Sequence, residues 1–94
     1  MTTYNPAVAF SVEHEAEGGL HIIHLSAGES VRGEEVRDRD GVVCGVVLVD
    51  EGGAAVDIEI FSLSHFDLDA CAAKYGFADR AGAIGIALGM AVPA

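Results

Sequence analysis

The strongest constraint on this chain is a rhythm between Leu20 and Phe61, where short β-branched runs alternate with turns of acidic residues and glycine. The stretch reads LHIIHLSAGESVRGEEVRDRDGVVCGVVLVDEGGAAVDIEIF. Period-two runs suit half-buried strands, and tight reversals need residues that tolerate positive φ, so the stretch predicts antiparallel strands joined by short turns. Leu20 to Leu25 makes one strand, with Leu20, Ile22 and His24 on one face and His21, Ile23 and Leu25 on the other. Val31 to Val36 is short and charged, as an edge strand should be. Val42 to Val49 is nearly all apolar, which predicts a central strand covered on both sides. In Ala54 to Phe61, Val56, Ile58 and Ile60 alternate with Asp57, Glu59 and Phe61. The intervening turns fall at Ser26 to Glu29, Asp38 to Gly41 and Asp50 to Gly53.

The same rhythm extends upstream. Val8, Phe10, Val12 and His14 alternate with Ala9, Ser11 and Glu13, and Glu15 to Gly19 supplies a glycine-bearing reversal. Downstream of Ser62 the period changes. Leu68, Ala72 and Tyr75 lie on one side of a helix that Asp67 or Ser64 can cap, with Asp69 in its first turn and Gly76 placed to end it. Ala78 to Val92 admits two readings. As a helix capped by Asp79 it sets Ala81, Ile84 and Leu88 on one face. As a strand it alternates Ile84, Ile86, Leu88, Met90 and Val92 with Gly85, Ala87, Gly89 and Ala91. Interior glycines cost a helix about 1 kcal/mol each relative to alanine, whereas the alanine content and the preceding helix favour it. The helical reading is adopted, with the strand as its alternative.

The chain therefore reads as one α+β domain over residues 1–94. An antiparallel β meander of about five strands occupies 8–61, and a mainly helical segment, 62–94, packs on one face of it. Fifteen acidic residues against five basic ones give a net charge of −10. Phosphate backbones and anionic membrane surfaces are bound by Lys and Arg, so nucleic acid and membrane are excluded as expected partners. A basic protein or a cation suits the field better, and a neutraliser of a small basic toxin would carry such a charge. With no Trp and twelve glycines the core is thin, which predicts a homodimer. The N-terminus lacks a basic-then-apolar leader, and Cys44 and Cys71 sit in apolar contexts, so a cytoplasmic location without a disulfide is expected. The uncharged stretch 81–94 is too short to span a bilayer.

The segments Leu25-Ser26-Ala27-Gly28-Glu29-Ser30-Val31-Arg32-Gly33-Glu34-Glu35-Val36, Val42 to Asp50, Glu51-Gly52-Gly53 and Asp57-Ile58-Glu59-Ile60 follow a recognisable order. It is that of a Ser-x-Gly-Glu turn, a Glu-Glu-Val edge, an apolar strand, a turn and a closing apolar-x-Glu-Ile strand. In this order residues 8–62 resemble a family of small bacterial proteins known as domain of unknown function 2283. The resemblance implies the β meander, and it implies no catalytic residues. It leaves the C-terminal third uncovered.

Chemistry-bearing residues are few. In a strand His21 and His24 point to opposite faces, so they cannot chelate one ion together. His14 and His24 share the parity that looks buried, and with Glu15 or Cys44 they form the candidate metal set. Counting out from the Gly18-Gly19 reversal sets Glu17 opposite Leu20 and His14 opposite Ile23. Asp57 and Glu59 share a face, roughly 7 Å apart by strand rise, and could share a proton or a cation. There is no Gly-x-Ser-x-Gly, Cys-x-x-Cys or phosphate-binding loop, so no catalytic residue and no cofactor is expected. Ile84, Gly85, Leu88 and Gly89 form a small-residue face that could meet another subunit. These features predict a small acidic interaction module, self-associating and suited to a basic protein. The alternative is a metal-binding protein or metal-dependent enzyme using His14, His24 and nearby carboxylates.

Overall fold

A computed structural model of the chain describes residues 10–15 and 19–89. Five antiparallel strands form one sheet: β1 (Ser11–Glu15), β2 (Leu20–His24), β3 (Arg32–Arg37), β4 (Val43–Val49) and β5 (Ala55–Ile60). Two helices follow, α1 (Leu68–Tyr75) and α2 (Ala81–Ala87), with a 3-10 turn at Ala78–Arg80 between them. The expected α+β class, with its antiparallel sheet and helical C-terminal segment, is the fold observed. The beginning of the expected first strand at Val8, the turn residues Ala16 to Gly18 and the end of the last segment, Met90 to Val92, lie outside the described residues.

Strand order is β1-β2-β5-β4-β3. One hairpin, β1-β2, and one three-stranded meander, β3-β4-β5, thus join edge to edge through β2 and β5. The connection from β2 must reach the far edge, three strand spacings or roughly 14 Å away. It is tacked at both ends: Leu25 N–H donates to Val56 O at 2.8 Å, and Val31 N–H donates to Val49 O at 2.8 Å. β3 lies at the edge, as its charge predicted.

The two hairpins of the meander use one device twice. Asp38 Oδ1 accepts from Asp40 N–H at 2.9 Å and Val42 N–H at 3.0 Å. Asp50 Oδ1 accepts from Gly52 N–H and Ala54 N–H, each at 2.9 Å. Each turn closes on a glycine of positive φ, Gly41 at 84° and Gly53 at 88°. An aspartate that satisfies the turn's own N–H groups and a glycine that supplies the left-handed residue make a type I turn with a bulge.

Helix α1 forms between matched ends. Asp67 Oδ1 accepts from Ala70 N–H at 3.0 Å, which resolves the choice of cap in favour of Asp67 over Ser64. At its other end Gly76 has φ 80°, and Phe77 N–H donates to Ala72 O at 2.9 Å, closing a Schellman motif. Phe77 is thereby turned into the core. The segment after Phe77 is helical through Ala87, and Ala81, Ile84 and Leu88 are its buried residues, as the helical reading has them. Asp79 does not cap α2. It lies inside the 3-10 turn, which runs straight into the helix, and Ala81 N–H donates to Ala78 O instead.

One face of the sheet carries Ile23, Val47, Val49, Ile58 and Ile60, each fully buried against Phe66, Leu68, Phe77, Ile84 and Leu88. Burying each such side chain contributes about 1.5–3 kcal/mol. Close approach is set by Gly45: a Cβ there would stand 2.8 Å from Phe66 Cε2 and 2.7 Å from Glu59 O. The helices cover this face alone. Among the described residues Val42 to Val49 is therefore not covered on both sides as expected, and Val46 and Leu48 remain half-buried on the other face. Two helices of eight and seven residues can cover only one side.

Candidate interaction face

Register decides what the uncovered face presents. Glu13 pairs with Ile22, Ile22 with Glu59, Glu59 with Val46, and Val46 with Glu35. One row across all five strands therefore reads acid, apolar, acid, apolar, acid. The adjacent row is Ser11, His24, Asp57, Leu48 and Gly33. Ile22, Val46 and Leu48 are each half-buried, as are Asp57 and Glu59. At the outer edge Glu35 is neutralised by Arg37, whose Nη2 donates to Glu35 Oε1 at 2.9 Å. Glu59 has no ion pair among the described residues.

His24 is the polar centre of this face. Its Nδ1 lies 2.7 Å from Asp57 Oδ1, and its Nε2 lies 3.2 Å from Glu13 Oε1. The Nε2 contact has ion-pair distance without hydrogen-bond geometry, and that nitrogen is closed to solvent. The hydrogen bond to Asp57 raises the His24 pKa against the opposing effect of burial, with the Asp57 and Glu13 charges adding to the rise. Asp57 is thus paired with His24.

The candidate metal pair separates. The β1-β2 register sets Glu15 opposite Leu20, so His14 stands opposite His21 rather than Ile23. The buried face of β2 is that of Ile23 and Leu25, not that of Leu20 and Ile22. His24 therefore points away from the helices while His14 points toward their side, and the two cannot hold one ion. Glu15 shares the open face with Leu20. Cys44 turns its Sγ to Val36 O, 3.5 Å away. His14 and His21 do meet, Nδ1 to Nδ1 at 2.6 Å, with ring centroids 4.7 Å apart and planes at 90°. Among the described residues no group of three or more His, Cys, Asp or Glu is arranged to hold a metal ion.

The expected small-residue face of α2 is divided between core and surface, with Gly85 half-buried and Gly89 exposed. Ile84 and Leu88 are core residues, and a Cβ on Gly85 would meet Leu68 Cδ2 at 3.7 Å. Gly89 ends the helix at φ 76°. Ile86, on the opposite side of the helix, is the exposed one. An i, i+4 glycine pair is small enough for either a neighbouring helix or a partner, and here Leu68 of α1 takes the space beside Gly85.

A groove of about 760 Å³ runs between α1 and the strand β3 with its following turn. It gathers Arg37, Arg39 and Lys74, three of the five Lys and Arg residues, beside Asp38, His65 and Tyr75. Two of its acids have structural duties. Asp38 holds the hairpin and stands 3.5 Å from His65 Nδ1, while Asp67 caps α1. Tyr75 donates to Glu34 Oε1 at 2.5 Å. Burial, with that carboxylate second, pushes the phenol up to about 12, and the same hydrogen bond lowers Glu34. The cysteines are free and buried, and desolvation raises both, Cys71 to about 11, so neither is a ready thiolate at neutral pH. No helix among the described residues is long and apolar enough to cross a membrane.

Comparison with protein-family models, with curated proteins and with solved structures finds no match to this chain.

Proposed function

We propose that this chain is a binding module without chemistry of its own, whose open sheet face receives a basic protein partner. The row Glu13–Ile22–Glu59–Val46–Glu35 is the observation that supports this reading. A solvated sheet face normally alternates cleanly to polar residues, yet β2 and β4 keep Ile22, Val46 and Leu48 on the side the helices leave open. Lys or Arg side chains can lay their aliphatic stems on such residues and set their charged ends on the acids between them. Charge selects the occupant. A second copy facing this surface would place Glu13, Asp57 and Glu59 against their own likeness, whereas a basic surface would neutralise Glu59, which has no ion pair among the described residues. Self-association, the other expectation for this chain, is the competing occupant.

A defined probe separates the two. A peptide of alternating Lys and Leu, titrated into the isotopically labelled chain, should shift the resonances of Ile22, Val46, Leu48 and Glu59 and leave α1 and α2 unmoved. Glu59→Lys should abolish the shifts. Shifts centred on the groove beside α1, or shifts indifferent to Glu59→Lys, would sink the proposal. So would a dimer in light scattering that Val46→Glu converts to monomer, because a second copy would then cover the face.

A further inference from the structure

We propose that His14 and His21 form a two-point chelate for a borderline divalent transition metal such as Zn²⁺, with water or an external ligand completing its shell. This site is separate from the open sheet face and does not depend on it. The two histidines are directly opposed on adjacent antiparallel strands, on the helix side of the sheet. His14 is exposed and His21 half-buried, so their meeting point is open to an incoming ion. Both rings aim Nδ1 at one spot, 2.6 Å apart, and the perpendicular arrangement at 4.7 Å keeps the rings from blocking it.

At 2.6 Å one Nδ1 carries a proton and donates while the other accepts. Two imidazoles that bind one Zn²⁺ at about 2.0–2.1 Å and a tetrahedral angle stand roughly 3.3 Å apart. The rings need only part by roughly 0.7 Å, a small side-chain rotation for surface residues. The donating ring moves its proton from Nδ1 to Nε2, so both Nδ1 lone pairs face the ion. The change is a tautomerisation and releases no net proton from neutral rings.

The other histidines and the cysteines are committed elsewhere. His24 is held by Asp57, with Nε2 closed to solvent. His65 stands against Asp38, and Asp38 is tied into its turn. The two thiols are buried. Among the histidines and cysteines of the described residues, the His14–His21 pair alone brings two ring nitrogens together with no structural duty, because the backbone ladder of β1 and β2 holds those strands without them. With two protein donors and open positions, the site suits a labile ion or one that a partner's ligand completes.

The test is a zinc sulfate titration of the untagged full chain, read by long-range ¹H–¹⁵N correlation of the imidazole nitrogens. The expected result is a joint, saturable movement of the His14 and His21 Nδ1 signals at one ion per chain, with His24 and His65 unmoved. His14→Ala, His21→Ala and the more conservative His14→Gln should each lose saturation, whereas His24→Ala should keep it. Circular dichroism identifies any variant that has failed to fold, and the wild-type signals decide the matter without the variants. Absence of a saturable shift, equal movement of all four histidines, retention of binding in His21→Ala, or one ion per two chains would overturn the proposal.

Discussion

Gly45 shows how little room a single residue leaves in this core. Phe66 lies on the strand where any other residue would carry its Cβ, and the carbonyl of Glu59 blocks the remaining space. The ring can shift but the backbone carbonyl cannot. Gly45→Ala should lower unfolding stability by about 1–3 kcal/mol, the usual cost of overpacking, measured by urea denaturation with an unchanged m-value. His24 makes a second prediction at this scale. Its folded pKa is raised above the ordinary 6.5, so its ion pairing is fully present below that value and is lost as pH rises through the raised pKa. Asp57 and Glu13 are the charges beside it on the open sheet face, and each favours the imidazolium. Melting temperature should therefore fall as pH rises through neutrality, and His24→Asn should flatten that part of the profile. The side chain is 36% exposed, so the effect belongs with surface pairs, at about 0.2–1 kcal/mol.

Elements here are decided by their ends. Both hairpins of the meander repeat an aspartate that accepts two turn N–H groups and a glycine three residues on at positive φ. Helix α1 uses the same side chain differently: Asp67 accepts from Ala70 N–H before the helix begins, and Gly76 ends it. A helix of eight residues has little intrinsic stability, so its cap and its buried face carry it. Asp67→Ala should cost about 1 kcal/mol in unfolding free energy, while Ser64→Ala, at the alternative cap position, should cost a few tenths at most. These ends were legible in the sequence because each depends on residues within five positions. The start of α2 was not. Asp79 has the chemistry of a cap, but the Schellman closure at Phe77 sends the chain directly into a 3-10 turn, and the cap position falls on Arg80.

At the scale of the molecule, the consequential fact is that two short helices shield one side of a five-stranded sheet. The near-continuous apolar run of β4 led to the expectation of cover on both sides, and among the described residues the helices supply only half of that cover. The acidic and apolar row left on the open side is the basis of the proposed binding role. The same arrangement spends Ile84 and Leu88 on the core, where α2 closes over the sheet, and removes them from any role at the surface.

The sequence by itself determined the strands of the meander, which residues share a face of each strand, and where the meander turns. Those properties follow from period-two alternation and from local hydrogen bonding by Asp38 and Asp50. Tertiary structure decided that β2 lies beside β5, that the helices take the face of Ile23 and Ile58, and that His14 meets His21 instead of sharing a site with His24. The physical reason is that both faces of β2 are partly apolar, so its own pattern does not say which one is buried. That choice falls to strands and helices more than thirty residues away, which bury Ile23 against Ile58 and leave Ile22 and His24 to the open side.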